Sequence, residues 1–156
     1  MKAEPLLEIS GESGVYSNTD ELNIALMAFA DVIALQSNIS VSLYFCPPEE
    51  MQDINNKFRG DNKTTDVISF PAEQMPAQSL SAKDDIRFLG EILIDINYIM
   101  HQTESGMLSM AVLQVFIHGL LHLVGYDHLN TQQKEIMQEF EHKIMDLTIQ
   151  EVGSGR

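Results

Sequence analysis

The chain has 156 residues, of which 44% are hydrophobic, which predicts one folded domain over residues 1–156 and excludes a disordered or fibrous chain. Nine Lys and Arg residues stand against 23 Asp and Glu residues, so the net charge of −14 excludes a broad basic surface for nucleic acid. The single cysteine, Cys46, and the lack of a secretory signal in the first residues favour a cytoplasmic protein without disulfides.

Strand and helix patterns alternate through the first half of the chain. Apolar residues at a spacing of three or four mark the helices, and apolar residues at alternate positions mark the strands. Prolines followed by acids open the second helix, and Lys57 and Arg59 close it. The predicted elements are a strand at 6–9, a helix at 20–36, a strand at 40–46, a helix at 47–59 and a strand at 66–70.

The second half contains a polar segment, one more strand and two long helices. Residues 72–87 are small and polar, and they predict a long loop. After it come a strand at 89–96, a buried helix at 107–125 and a final helix at 131–147. On the final helix the residues predicted to face inward are Ile136, Phe140, Ile144 and Leu147. Such a mixture predicts an α/β or α+β domain with a small sheet.

The segment 107–125 is apolar enough, and at 19 residues nearly long enough, to span a bilayer. Gln114, His118 and His122 follow one another at a spacing of four, however, and form one polar stripe on a helix. This stripe would be costly in lipid, and no Lys or Arg flanks the segment closely. We therefore expect a helix of a soluble domain that other elements cover, and no membrane partner.

The end of this helix carries the strongest chemical motif of the sequence. His118 and His122 lie one turn apart on the same face, so their imidazoles can converge on one metal ion. Gly125 can take the left-handed conformation that ends a helix, which brings His128 back to the same point. Three neutral imidazoles with an open fourth position are typical of a catalytic zinc site, with Asp127 or backbone carbonyls fixing the tautomers.

Other interpretations of the same histidines stay open. His118 and His122 can be core residues bonded to the backbone, although a metal would satisfy their buried nitrogens. Three imidazoles also suit nickel or copper. The spacing of the three histidines is that of metzincin proteases. Gly119, however, stands where those enzymes carry the Glu that activates water, which weakens a metallopeptidase function.

Three blocks of the sequence resemble the YbeY family of bacterial ribosomal-RNA maturation factors, which are single-strand endoribonucleases. The first block is the run H-G-L-L-H-L-V-G-Y-D-H at 118–128. The second joins I-N-N-K-F-R-G at 54–60 to T-D-V-I-S-F-P at 65–71. The third is L-G-E-I at 89–92, where the family more often has Asp at the position of Glu91. The blocks occur in family order, and the N-terminal part matches in layout.

The resemblance implies an α+β, zincin-like fold in which a small, mostly parallel four-stranded sheet packs with helices around the central buried helix. It also implies one Zn²⁺ held by His118, His122 and His128, and a catalytic role for Arg59. The implied activity is endonucleolytic cleavage of RNA in small-subunit (16S) ribosomal-RNA maturation and ribosome quality control. Ribosomal RNA and the small ribosomal subunit are then the expected partners, with ribosomal proteins or assembly factors beside them.

Arg59 has the chemistry that this role needs. Its planar guanidinium can bind two phosphate oxygens, and a zinc ion can polarise a phosphoryl oxygen or activate a bound water. Lys57 and Lys63 lie close to it and form a local basic span in an acidic chain. For these two lysines a solvated helix end is the simpler explanation, because cations favour the negative end of the helix dipole.

Two alternatives to a ribonuclease remain. One is a zinc metallopeptidase, which Gly119 disfavours. The other is a ribosome-assembly factor whose zinc is structural and whose nuclease activity is slight. The acidic charge favours this second alternative, because ribosomal proteins suit a chain of charge −14 better than RNA does. The general base also stays open between Glu91 and Asp127.

Overall fold

The computed structural model of the protein describes residues 5–35, 38–60, 65–72 and 86–154. Most of the predicted loop at 72–87 lies outside these ranges, as does Lys63. Within them the strands are β1 (Leu6–Gly11), β2 (Ile39–Phe45), β3 (Val67–Pro71) and β4 (Arg87–Ile94). The helices are α1 (Thr19–Ile33), α2 (Pro48–Arg59), α3 (Ile96–Gln102), α4 (Leu108–Leu123) and α5 (Thr131–Val152). Every predicted strand and helix is present with shifted bounds, and α3 was not predicted.

The four strands form one sheet in the order β1-β2-β4-β3. β1, β2 and β4 are parallel, and β3 runs antiparallel to β4 at one edge. Ile9 lies opposite Leu43, which lies opposite Ile92, so one face of the sheet carries a row of apolar side chains. The structure confirms the expected α+β fold with a small, mostly parallel four-stranded sheet.

The main core lies between this face of the sheet and helices α1, α4 and α5. α4 occupies its centre, since it contacts α1, α5, β3 and β4. Phe116 and Leu120 of α4 are fully buried, in the same cluster as Phe29 of α1 and Ile144 of α5. Because its neighbours cover it on several sides, α4 can be apolar on most of its surface. No helix in the described stretches combines the length and the apolarity needed to cross a bilayer.

The opposite face of the sheet is covered in part by α2. The buried side chains of this separate, smaller cluster are Cys46, Met51, Ile68 and Leu93. α2 begins at Pro48, whose missing N–H is not needed in a first helical turn. It ends at Gly60, which has a left-handed φ of 67°. Arg59 is the last helical residue before this turn, so its position depends on where α2 stops.

The predicted strand at 89–96 was wrong at its end, where the chain forms α3 instead. β4 stops at Ile94, and the Asp95 carboxylate accepts a hydrogen bond of 3.0 Å from the backbone N–H of Tyr98. This contact caps the first turn of the short helix. The apolar run stops at Ile94, and the capping Asp95 was a signal of the new helix that the predicted strand overlooked, because one turn of helix is too short to show a periodicity of its own.

The prediction that Ile136 faces inward on α5 was also wrong. Ile136 is 42% exposed, whereas its neighbour Met137 is 2% exposed. The buried stripe runs through Met137, Phe140 and Ile144, at spacings of three and four. The predicted and observed stripes share Phe140 and Ile144 and differ in the first turn, where a spacing of either three or four continues the stripe and the inward residue is Met137.

Candidate metal centre

Three histidine side chains meet at the end of α4. His118 and His122 lie one turn apart on the helix, and their Nε2 atoms are 3.0 Å from each other. The ring of His128 lies 5.6 Å from that of His118 and 5.3 Å from that of His122, measured between centroids. One ligand atom from each of the three rings lies within 4.8 Å of the others, so the group can hold a metal ion.

The return of His128 to the helix depends on the turn at Gly125. This glycine has a φ of 98°, which L side chains rarely adopt. The backbone N–H groups of Gly125 and Tyr126 donate to carbonyls of the last turn of α4, at 3.1 and 3.0 Å. The backbone N–H of His128 then donates to the Asp127 carboxylate at 2.7 Å. In this structure Asp127 therefore holds the backbone of the third histidine, whereas the sequence suggested that it would fix a ring tautomer.

Both helix histidines also have a partner outside the ligand set. Nδ1 of His118 lies 2.8 Å from Oε2 of Glu141 on α5. The ring of His122 is hydrogen-bonded to the backbone of Tyr126, as expected of a backbone group that fixes a tautomer. In both rings Nε2 then remains directed at the point where the histidines converge.

Sequence analysis missed Glu141 as a member of this site. It lies 23 residues after His118, and nothing in its local sequence separates it from Glu139. The available signal was its position between Phe140 and Ile144 on α5, which places a carboxylate at the border of the inward face. That signal does not name the histidine it meets, because the crossing of α4 and α5 is a property of the folded chain.

The electrostatics of the site favour a neutral His122. Burial, and then the positive charge of a protonated His118, lower the pKa of His122 below its ordinary value. A tetrahedral zinc ion with Zn–N bonds of about 2.0–2.1 Å holds its ligand nitrogens about 3.3 Å apart. The 3.0 Å between the two Nε2 atoms needs only a small opening for such an ion, and the exposed His128 has room to follow. The histidines therefore fit one divalent metal ion.

The histidines line one side of an open cleft of about 530 Å³. β3 and the two residues before it line the other side, and Arg59 lines the cleft from the end of α2. Lys57, on the same helix, is not among the lining residues. Arg59 is exposed, and no carboxylate of the described stretches forms an ion pair with it. The structure thus brings the predicted arginine and the predicted ligands to one cleft, with the guanidinium accessible to an anion.

Gly119 lies where the helix packs most closely on the sheet. A Cβ at this position would lie 3.1 Å from Oγ of Ser69 and 3.2 Å from Cγ2 of Ile92. The Ser69 hydroxyl also donates to the Gly119 carbonyl at 3.1 Å. A glutamate side chain would therefore have to push aside the side chains of Ser69 and Ile92. The position that would carry the water-activating Glu of a metzincin has no room for one here.

The two candidates for a general base lie in different places. Asp127 lines the cleft, together with Asp66. Glu91 pairs in register with Ser42 and is not among the residues that line the cleft. Its neighbour Ile92 faces α4, so Glu91 points to the opposite side of the sheet. Of the two carboxylates that the sequence left open, only Asp127 has the placement that proton transfer in the cleft would require.

An α+β fold with three convergent histidines in an open cleft is the arrangement of a metal-dependent hydrolase. A family model described as Endoribonuclease YbeY matches residues 14–148 of the chain. The chain therefore belongs to the YbeY endoribonuclease family, as the sequence blocks predicted. This membership confirms the expected class of enzyme, a hydrolase that acts on RNA phosphodiester bonds.

Curated relatives of several bacterial origins carry the same description. The Endoribonuclease YbeY of Bacillus pumilus is 31% identical over 150 residues, which cover 90% of this chain and 93% of the relative. That of Sulfurihydrogenibium sp. is 34% identical over 113 residues, which cover 70% of each. The solution structure of TM1509 from Thermotoga maritima shares the fold, with a TM-score of 0.62, 22% identity, and coverage of 97% of this chain and 99% of that one.

Proposed function

We propose that the protein is a zinc-dependent endoribonuclease that cleaves single-stranded RNA in small-subunit (16S) ribosomal-RNA maturation and ribosome quality control. One observation carries the proposal. The ligand nitrogens of His118, His122 and His128 and the guanidinium of Arg59 face the same open cleft. A metal site and a phosphate-binding side chain are the two parts that hydrolysis of a phosphodiester needs.

Each of these residues has a distinct task in the proposed reaction. A bound zinc ion would supply a Lewis acid and lower the pKa of a bound water. His118, His122 and His128 would hold it, the first two through Nε2. Arg59 would bind two oxygens of the scissile phosphate and orient it in the cleft. Three imidazoles are a ligand set of catalytic zinc sites, and nickel or copper would fit the same donors.

The acidic charge of the chain sets a limit on how it can bind RNA. Arg59 is the only Lys or Arg of the described stretches that lines the cleft. Each phosphate contact contributes about −0.7 to the slope of log K against log salt for single strands, so one or two contacts give a shallow slope. Affinity then comes from the substrate being delivered in the small ribosomal subunit, where ribosomal proteins offer surfaces that suit a chain of charge −14.

That charge is also the observation that favours a second function, a ribosome-assembly factor whose zinc is structural. The two functions differ in whether the cleft performs chemistry. The structure offers no comparable support for a metallopeptidase, because Gly119 is packed against Ser69 and Ile92.

The deciding experiment is cleavage of single-stranded 16S precursor RNA by the zinc-loaded protein. Wild type, His122→Ala, Arg59→Ala and Lys57→Ala are purified identically and checked for folding by circular dichroism. Lys57→Ala is the matched control, since it removes a cation from the same helix outside the cleft. We expect cleavage by wild type and Lys57→Ala, and strong loss in the other two. Equal cleavage by all four would identify a contaminant. No cleavage, with retained binding to small subunits, would favour the assembly factor.

A further inference from the structure

Glu141 is the one described carboxylate in hydrogen-bonding contact with a ring of the candidate metal centre. Its Oε2 lies 2.8 Å from Nδ1 of His118 and comes from α5, a different helix. Both side chains are partly buried, with relative exposures of 26% for Glu141 and 31% for His118. Partial burial strengthens the hydrogen bond relative to one in open water.

The contact determines which nitrogen of His118 faces the metal position. A neutral imidazole has one N–H donor and one lone pair, and a carboxylate accepts only from the N–H. With Nδ1–H donating to Glu141, the lone pair lies on Nε2, which is the atom 3.0 Å from Nε2 of His122. In the other tautomer Nε2 would point a proton at the site and could not bind a metal.

The surrounding residues show that this carboxylate is set apart from the others on its helix. Glu139, two residues earlier, pairs with Lys143 at 3.3 Å, and both are mostly exposed. Asp127 acts on His122 through its charge alone, while its carboxylate accepts a hydrogen bond from the backbone N–H of His128 and not from a ring. Among the residues described here, Glu141 therefore places a formal negative charge directly behind a ligand ring.

A second contact of α5 acts on the same centre. Phe140, adjacent to Glu141, packs its ring on that of Tyr126 at a centroid distance of 5.0 Å. Tyr126 belongs to the turn that carries the chain from the second histidine to the third. α5 thus contacts both the first ligand and the turn that delivers the last one, so its docking holds the ligand set in place.

We propose that Glu141 is a positioning residue of the metal centre: it fixes the Nδ1–H tautomer of His118 and stabilises the bound cation through that ring. The inference rests on the proposed metal site and goes beyond it, because it assigns to α5 a direct part in metal affinity. Glu141 acts through His118 and does not itself face the cleft. Loss of an outer carboxylate of this kind typically weakens metal binding about 10- to 100-fold.

The test measures metal affinity, independently of any RNA cleavage. Metal-free wild type, Glu141→Ala, Glu141→Gln and Glu139→Gln are titrated with zinc against a chromophoric chelator, and the visible spectrum of each cobalt-loaded protein is recorded. We expect about 10- to 100-fold weaker zinc binding by Glu141→Ala, with an altered cobalt spectrum. The zinc affinity of Glu141→Gln should fall between those of wild type and Glu141→Ala, because its amide oxygen still accepts from Nδ1–H. Glu139→Gln is the matched control, and it should bind zinc like wild type.

Several outcomes would overturn the inference. Wild-type zinc affinity in Glu141→Ala would show that the contact has no part in metal binding. An equal loss in Glu139→Gln would show an effect of net charge alone. Thermal unfolding of the metal-free variants separates a role in metal binding from a purely structural one. A purely structural role would lower the melting temperature and leave the zinc affinity unchanged. If wild type itself takes up no metal, the proposed metal centre is wrong and this inference falls with it. If wild type binds metal but cuts no RNA, the proposed nuclease function is wrong and this inference stands.

Discussion

Two cavities lie near each other in the described part of the molecule, where the backbone N–H of Asp95 in one donates to the Asp66 carbonyl of the other at 3.0 Å, and only one of them has the chemistry of an active site. The first is the cleft of about 530 Å³ with the three histidines and Arg59. The second, of about 340 Å³, lies where the parallel strands β1, β2 and β4 end, and Gly11, Phe45 and Asp95 line it. The carboxyl ends of parallel strands are the usual place for a ligand in sheets of this type, so position alone would favour the second cavity.

The difference lies in what the polar groups of each cavity already do. In the second cavity Asp95 caps α3, and the Tyr44 hydroxyl donates to Glu50. Burial, followed by the charge of Glu50, raises the pKa of the Cys46 thiol to about 12, so this sulfur is not a nucleophile at neutral pH. In the cleft the polar atoms converge instead, with two Nε2 atoms directed at one point. Convergence of donor atoms, not volume or position, separates the two cavities.

Removing one of the convergent nitrogens should give the largest effect. Zinc at 100 times its Kd should stabilise wild type by about 2.7 kcal/mol, which raises the melting temperature by roughly 5–10 °C for a chain of this size. His122→Ala should abolish this rise, because two imidazoles do not make a site of useful affinity. Differential scanning fluorimetry with and without zinc measures it. An equal rise in His122→Ala would mean that the ion binds elsewhere, which would remove the basis of the comparison.

Arg59→Ala should give the second-largest effect. It should weaken the use of RNA and leave metal binding unchanged. Loss of a charge-assisted hydrogen bond worth about 1.5–3 kcal/mol predicts a fall of roughly 10- to 150-fold in kcat/KM for RNA. The zinc-induced rise in melting temperature should stay at the wild-type value, since Arg59 is not a ligand. Steady-state cleavage kinetics and the same thermal assay test both parts. A lost thermal shift would place the arginine within the metal site itself.

Gly119→Ala tests the packing beneath the histidines. Helix propensity alone would stabilise this variant by about 0.5–1 kcal/mol. Contacts of 3.1 and 3.2 Å with Ser69 and Ile92 oppose that gain, and overpacking of a core costs about 1–3 kcal/mol. We therefore expect a net loss of about 0–2.5 kcal/mol in urea unfolding, as the difference between these terms. The sign is the test, since a stabilised variant would mean that β3 and β4 yield easily at this point.

The smallest effect is expected in the second cavity. Cys46 is 3% exposed and its thiol stays protonated, because a pKa raised to about 12 leaves little thiolate at any pH below that value. Native protein should therefore resist iodoacetamide at pH 8 and react only after unfolding, as followed by mass spectrometry. Cys46→Ala should leave RNA cleavage unchanged. Rapid labelling, or a loss of cleavage in this variant, would show that the second cavity has chemistry of its own.

Local patterns in the sequence were enough for every element of the described fold except α3, and for the three histidines. His118, His122 and His128 lie on one short segment, and helix periodicity with a turn at Gly125 predicts that they meet. Glu141 could not be predicted in this way, because its contact depends on how α5 crosses α4. The exposure of Ile136 was missed for a related reason, since the phase of a stripe on a helix is fixed by the neighbours that cover it.

The order of these residues along the chain also bears on how preparations of the protein are judged. All three histidines belong to residues 118–128, whereas Arg59 reaches the cleft only when α2 and its turn at Gly60 are docked on the sheet. A molecule with α2 displaced would keep all three histidines of the proposed metal centre on one continuous segment. The metal content of a preparation would therefore report only molecules whose histidine segment is folded. The fraction of molecules that also have Arg59 in place has to be titrated with a substrate analogue.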